Sequence, residues 1–202
     1  MHLVLLGDSV LDNGVYVGEG EPSVSQQIQA ALPGVSVEMR AIDGSMVADV
    51  VELLDRMPLP EAAPVVLSVG GNNALDKIDL LGDPVEDTFA QAMIRFHGMR
   101  ERFRQDYVRL LERLGGRPLL AATVYNPNFQ GDEVDLQIPA QGALTAFNDV
   151  IQQEVQARDG WMLELRGIFT APSDYANPIE PSATGGAKLA DAVATWFRKV
   201  CA

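Results

Sequence analysis

The stretch His2-Leu3-Val4-Leu5-Leu6-Gly7-Asp8-Ser9 decides the fold of this chain. A short apolar run of this kind predicts a strand buried in a parallel sheet. Gly7 then begins a sharp turn that presents the Ser9 hydroxyl at the rim of the sheet. We expect the next helix to begin at this serine and to direct backbone N–H groups at any anion that forms beside it. A nucleophilic oxygen and such donors are what acyl transfer requires.

The remaining sequence alternates between strand-like and helix-like segments. Residues 70–84 and 125–139 are predicted to be loops because they are rich in polar and turn-forming residues. Five strands, each followed by a helix, predict an α/β fold, namely a three-layer α/β/α sandwich with a five-stranded parallel sheet in flavodoxin-like strand order. We expect residues 1–202 to form a single domain. The predicted strands are 3–6, 35–39, 65–69, 119–124 and 161–165, and the predicted helices are 22–32, 46–57, 85–114, 142–157 and 187–200.

The composition limits the class of protein. A net charge of −13 disfavours nucleic acid and anionic membranes as partners. The single cysteine, Cys201, excludes an intramolecular disulfide. No apolar run reaches membrane-spanning length, and the chain opens directly into a strand, so we expect a cytoplasmic protein. Neither metal-ligand spacing nor a dinucleotide-binding motif is present, and we therefore expect no metal and no cofactor.

Four polar segments are predicted to converge at one edge of the sheet, because ligands in parallel sheets bind at the carboxyl ends of the strands. In order, they resemble the sequence blocks of the SGNH/GDSL hydrolase family: a Gly-Asp-Ser turn, a lone glycine, a Gly-x-Asn-Asp turn and a late Asp-x-x-His. The resemblance spans the whole chain. The segments are Gly7-Asp8-Ser9, Asp43-Gly44-Ser45, Gly70-Gly71-Asn72-Asn73 and Asn177-Pro178-Ile179-Glu180-Pro181.

The resemblance implies a role for each matching residue. Ser9 would be the nucleophile, and the backbone N–H groups of Ser9 and Gly44 with the side-chain amide of Asn72 would form the oxyanion hole. Each residue type suits its role, since glycine lets the backbone approach a substrate and an amide donates without carrying charge. Taken singly, Ser9 also fits a helix N-cap, and the glycine segments also fit ordinary turns.

The late block departs from the family pattern. Glu180 stands where the family has its histidine base, and Asn177 stands where it has an aspartate. A free glutamate has a pKa near ~4.3, but burial in an apolar, proline-flanked loop would raise that value to about 6–7, the range of tuned catalytic glutamates. We therefore predict Glu180 as the group that accepts the Ser9 proton, with Asn177 holding its carboxylate by a hydrogen bond.

Other groups remain open as the proton acceptor. Asp8 adjoins the serine, Asp12 lies about one helical turn beyond it, and His97 lies in the long helical pattern. We place all three below Glu180, because Asp8 more readily braces the turn and helix interiors seldom reach a sheet-edge site. Tyr125 follows the fourth strand and lines either the substrate pocket or the core.

These residues support three hypotheses for function. The first is a serine-dependent hydrolase of carboxylic esters or small acyl groups, whose partner is a small ester or acylated molecule. The second, suggested by the missing histidine, is a catalytically impaired protein that retains the pocket and binds ligands. The third is an acyltransferase that uses the same residues with a different acceptor.

Overall fold

The computed structural model describes residues 1–81 and 88–201. Its centre is a parallel sheet of five strands in the order β2-β1-β3-β4-β5. This arrangement confirms the predicted α/β class and flavodoxin-like strand order. The strands are β1 His2–Gly7, β2 Ser36–Met39, β3 Val65–Ser68, β4 Leu119–Ala122 and β5 Trp161–Leu163.

Helices cover both faces of the sheet. The α-helices are α1 Val24–Ala31, α2 Val47–Arg56, α3 Gly71–Leu75, α4 Phe89–Leu114, α5 Gln137–Gln156 and α6 Ala183–Val200. Short 3-10 helices span Ile78–Leu81, Gly131–Leu136, Leu165–Gly167 and Pro172–Asp174. In the part of the chain that the structure describes, no helix combines the length and apolar character that a bilayer crossing needs.

The two faces of β1 carry different core residues, because successive side chains of a strand point to opposite sides. Leu3 and Leu5 pack with α1 and α6, whereas Val4 and Leu6 pack with α2, α4 and α5. Burial on both faces explains why β1 reads as a continuous apolar run rather than an alternating one.

Several predicted helix bounds were wrong. The expected loop 125–139 contains a 3-10 helix and the first turn of α5, where Pro139 is tolerated because its missing N–H would have no partner in the first turn of a helix. The expected loop 70–84 contains α3 and the 3-10 helix Ile78–Leu81. Helix α6 begins at Ala183, four residues before the predicted start, with Ser182 as its N-cap. Residues 82–87, which include the predicted start of the long helix, lie outside the described residues.

Candidate active site

The turn after β1 is fixed by a close approach of two strands. Gly7 has a φ of +137°, and a Cβ built at this position would lie 1.7 Å from the carbonyl oxygen of Ser68 in β3. No side chain fits here, so only glycine allows β1 and β3 to approach in this way. The N–H of Asp8 donates to the same carbonyl at 2.9 Å, so Ser9 lies just beyond the end of β1, in a turn that is held beside the end of β3.

The segment after Ser9 is a turn and not the expected helix. The carbonyl of Asp8 accepts from the N–H groups of Leu11 and Asp12, both at 3.1 Å, and α1 begins only at Val24, with Ser23 as its N-cap. Turn formation therefore replaces the predicted helix N-terminus. Ser9 is buried, with 7% of its surface exposed, and it lines a cavity at the carboxyl edge of the sheet.

Two of the three predicted oxyanion donors also line this cavity. Ser9 and Asn72 do so, and the side-chain amide of Asn72 donates to the carbonyl of Ser45 at 3.0 Å, which leaves its second hydrogen available. Gly44 is not among the described residues that line the cavity. Gly44 has a φ of +79°. Its turn contacts the loop after β1, because the N–H of Asp43 donates to Asp12 Oδ2 at 3.1 Å. Within residues 1–81 and 88–201, the N–H groups of Ser9 and Gly44 donate to no hydrogen-bond partner.

The loop that carries Glu180 is held by its backbone. Asn177 Oδ1 accepts from the N–H groups of Ile179 and Glu180, both at 3.0 Å, and the carbonyl of Glu180 accepts from Ala176 at 2.8 Å. The prediction that Asn177 holds the carboxylate of Glu180 was therefore wrong. The short Asn177 side chain instead accepts hydrogen bonds from the N–H groups two and three residues later, as asparagine does in tight turns.

Contacts from distant parts of the chain fix the same loop. Asn13 Nδ2 donates to the carbonyl of Pro181 at 3.0 Å, and the Tyr125 hydroxyl donates to that of Ile179 at 2.5 Å. Tyr125 also stacks on Phe169 with 4.4 Å between ring centroids, so it serves both packing and the cavity wall. These contacts place Glu180 without using its side chain.

The Glu180 carboxyl is a buried acid near the Ser9 hydroxyl. Only 6% of the residue is exposed, and Oε2 is buried without a hydrogen-bond partner among the described residues. Burial raises the pKa of Glu180 to about 7, hydrogen bonding from Ser9 acts against this rise, and the charge of Asp43 adds to it. Ser9 and Glu180 line the same cavity, so the hydroxyl and the carboxyl face one space.

Asp8 is a second buried carboxyl at the same site. Burial raises its pKa to about 7; the N–H of Val10 lowers it, and the charge of Glu180 raises it. Asp8 Oδ1 accepts from that N–H at 3.2 Å and from the Ser68 hydroxyl at 3.3 Å. Asp8 therefore braces the turn, as the sequence suggested, and it also faces the cavity.

The other candidate proton acceptors lie elsewhere. Asp12 holds the N–H of Asp43, and it does not line the cavity. His97 is exposed on α4, whose cavity-lining residues include its neighbours Phe96 and Gly98 but not His97. His2, at the opposite end of β1, lies 2.7 Å from a carboxylate oxygen of Glu38.

The cavity beside Ser9 has a volume of about 610 Å³ and largely apolar walls. It is bounded by the ends of β3 and β4, by α3 and the 3-10 helix after it, and by the facing sides of α4 and α5. Its apolar side chains include Val69, Leu75, Ile78, Met99, Leu144 and Phe147. A space of this size and character accommodates an apolar group of a small-molecule ligand.

Sequence reasoning missed several residues that shape the site. Ser68 bonds Asp8, Asn13 fixes the Glu180 loop, and Asn148 of α5 pairs with both the N–H and the carbonyl of Val124 at 2.7 and 2.8 Å. Asn148 stands among mostly apolar residues at helical spacing on α5, and this pattern in the sequence could have identified it as a buried polar residue. No pattern of this kind in the sequence distinguishes Ser68 or Asn13.

Solved structures share this architecture over nearly the whole chain. The lipase Lip_vut3 from a goat rumen metagenome has a TM-score of 0.74 at 18% identity, with 97% of each chain covered. A lipolytic protein of the G-D-S-L family from Veillonella parvula has a TM-score of 0.66 at 13% identity, with 99% of this chain and 97% of that chain covered. An acetylxylan esterase from Geobacillus stearothermophilus, a catalytic mutant with serine replaced by alanine, has a TM-score of 0.71 at 15% identity, with 97% and 93% covered.

The fold is that of the SGNH/GDSL hydrolases, as the resemblance implied. A second catalytic mutant of the Geobacillus esterase replaces a histidine by alanine. No protein-family model matches the sequence, and no curated protein gives a significant match.

Proposed function

We propose that this protein is a serine-dependent hydrolase of carboxylic esters, with Ser9 as nucleophile and Glu180 as general base. The observation that carries the proposal is the buried Glu180 carboxyl, which has one oxygen without a hydrogen-bond partner among the described residues and lines the same largely apolar cavity as Ser9. The names of its structural neighbours, which are lipases and acetylxylan esterases, support the same class of reaction.

The acylation step follows from this arrangement. Ser9 Oγ attacks the ester carbonyl carbon and forms a C–O bond while its proton passes to the ionised Glu180 carboxylate. The carbonyl oxygen becomes an oxyanion that accepts hydrogen bonds from the unpaired N–H of Ser9, from the free hydrogen of the Asn72 amide, and from the N–H of Gly44 once that turn adjoins the substrate. The tetrahedral intermediate then expels the alkoxide, which takes the proton from Glu180 and leaves as the alcohol.

Deacylation repeats the sequence with water. A water molecule attacks the acyl-enzyme carbonyl, Glu180 accepts its proton, and the Ser9 oxygen leaves and recovers that proton. The products are the free acid and the original enzyme. An acceptor alcohol in place of water would give acyl transfer through the same steps.

Glu180 suits the role of base because its pKa lies near neutrality. A carboxylate with a pKa of about 7 matches imidazole in proton affinity, whereas an exposed glutamate is a much weaker acceptor. The catalytic histidine of the Geobacillus esterase has no counterpart here among His2 and His97, both of which lie away from the cavity. We therefore assign the proton transfer to the carboxyl group.

The test is hydrolysis of p-nitrophenyl esters by the purified protein, by Ser9→Ala and by Ser36→Ala, an exposed serine on β2. We expect Ser9→Ala to abolish hydrolysis and labelling by a fluorophosphonate probe, and Ser36→Ala to retain both. Equal rates in Ser9→Ala would refute the proposal. Absence of labelling in the wild type would favour the binding protein, and ester products formed with added alcohols would favour the transferase.

A further inference from the structure

Arg102 is the feature that the proposed reaction does not use. Every other Lys or Arg side chain of the described residues has a hydrogen bond, an ion pair, a ring contact or another electrostatic interaction, although Lys199 has only its contact with Trp161. Arg102 has none of these. Acidic residues outnumber Lys and Arg by 28 to 15 in this chain, so an arginine without an acidic partner is unexpected.

Arg102 is placed on the cavity by the helix that carries it. Ala92, Met99 and Arg102 follow one another on α4 at helical spacing, and all three line the cavity. The guanidinium lies back along the helix over Gly98, where a Cβ would be 3.7 Å from Nη1. The side chain is exposed, so its donors face the solvent at the cavity wall.

The charge of the cavity wall differs from that of the whole molecule. Among its described lining residues, the cations are Lys77, Arg95 and Arg102, and the acids are Asp8 and Glu180. Lys77 is paired with Asp76 at 2.5 Å, and both acids are buried in the catalytic corner. Among the described lining residues outside that corner, Arg102 is therefore the cation without a partner, on a largely apolar wall in a protein of net charge −13.

We infer that the substrate is an apolar ester that also carries an anionic oxygen group, a carboxylate or a phosphate, which pairs with Arg102. The inference rests on the proposed function, because it assigns the substrate class of the same site. Guanidinium donors match either anion by paired N–H bonds, and the apolar wall takes the hydrocarbon part. Repulsion by the acidic surface works against anions everywhere else, so the pairing gives selectivity as well as affinity.

A binding experiment tests this inference without catalysis. In the Ser9→Ala background, dodecanoate, dodecyl phosphate and neutral dodecanol are titrated by calorimetry. We expect the anions to bind about fivefold or more tightly than the alcohol, with the difference reduced at high salt. Arg102→Gln should remove this preference, Arg102→Lys should keep part of it, and Arg109→Gln, an exposed arginine paired with Asp106 on the same helix, should keep all of it.

The kinetic counterpart uses matched esters. Mono-p-nitrophenyl esters of dicarboxylic acids with six to twelve carbons are compared with p-nitrophenyl esters of monocarboxylic acids of the same length. We expect the ratio of kcat/KM between charged and neutral esters to exceed one at the best length and to fall about fivefold or more in Arg102→Gln. In the binding experiment, the affinities for dodecanoate and dodecyl phosphate show which of the two anions the site prefers.

The outcomes distinguish failure of the anion site at Arg102 from failure of the proposed ester hydrolysis. Equal binding of anionic and neutral probes, or equal effects of Arg102→Gln and Arg109→Gln, would overturn the role of Arg102 even if ester hydrolysis depends on Ser9. Absence of Ser9-dependent hydrolysis would overturn the proposed function, while an anion preference in the binding experiment that depends on Arg102 would still support the anion site.

Discussion

Glu180→Gln should make the protein more stable and, at the same time, much less active. The substitution keeps the shape of the side chain and removes its charge. Burial raises the pKa of Glu180 from 4.5 to about 7, which means that the folded state binds this proton more tightly than the unfolded chain does. Between these two values, stability therefore falls as the pH rises, and the full cost of burying the charge is present above pH 7.

The size of the effect follows from this pKa shift. The buried charge costs about 3 kcal/mol at pH 8 and about 1 kcal/mol at pH 5. Glu180→Gln should raise the free energy of unfolding by up to these amounts, because the amide is neutral at both pH values. The loss of the Glu180 charge also lowers the pKa of Asp8, which stabilises the variant in the same direction.

The measurement is urea unfolding at pH 5 and pH 8, together with ester hydrolysis at pH 8. Loss of the general base should reduce kcat by about 10²–10⁴. Glu164→Gln is the matched control, because Arg166 and the Thr123 hydroxyl lower the pKa of Glu164 to about 2, and this variant should be destabilised. The buried-charge argument would be refuted if the Glu180→Gln protein were less stable than wild type at pH 8. It would also be refuted if the substitution raised the free energy of unfolding equally at pH 5 and pH 8. Retained activity would refute the role of base.

Three further predictions concern the rest of the site. Asn72→Ala should lower kcat about 10²- to 10³-fold, as the loss of one oxyanion donor does, and a loss below threefold would remove Asn72 from the oxyanion hole. Gly7→Ala should destabilise the fold by more than about 3 kcal/mol, because its Cβ would meet the Ser68 carbonyl. Gly34→Ala is the control, because Gly34 also has a positive φ but has open space around it, so this variant should cost only the roughly 1–2 kcal/mol of the strained backbone in the same unfolding assay. The kcat/KM of the wild type should rise with pH through an apparent pKa near 7, since Glu180 must be ionised, and a flat profile from pH 5.5 to 8.5 would contradict the proposed base.

The sequence predicted the sheet well because its signals are local. Apolar runs define β1, β3 and β4, and the carboxyl ends of parallel strands must share an edge, so the sequence predicts that Ser9 and Asn72 lie in one region, and both line the cavity. The raised pKa of Glu180 was also predicted, from the apolar and proline-rich loop around it.

The parts that were missed depend on tertiary contacts or on short elements. Helix α3 has five residues and begins in a Gly-Gly-Asn-Asn sequence, which is typical of a loop. Asn177 was assigned to the wrong partner, because its choice between a carboxylate and two backbone N–H groups depends on the loop conformation. Asn13 bonds a carbonyl 168 positions away, and no sequence pattern predicts such a contact.

In the loop around residue 180, the contacts that fix the backbone do not involve the Glu180 side chain. Asn177, Asn13 and Tyr125 hold the backbone, and their bonds end on N–H and carbonyl groups rather than on the Glu180 carboxyl. The proposed proton acceptor can therefore be exchanged without changing the loop, and a different side chain at this position would have the same placement near Ser9. A lineage could in this way pass from imidazole to carboxylate, or back, by substitution at a single position, and the pH range in which the enzyme works would change while its architecture stayed the same.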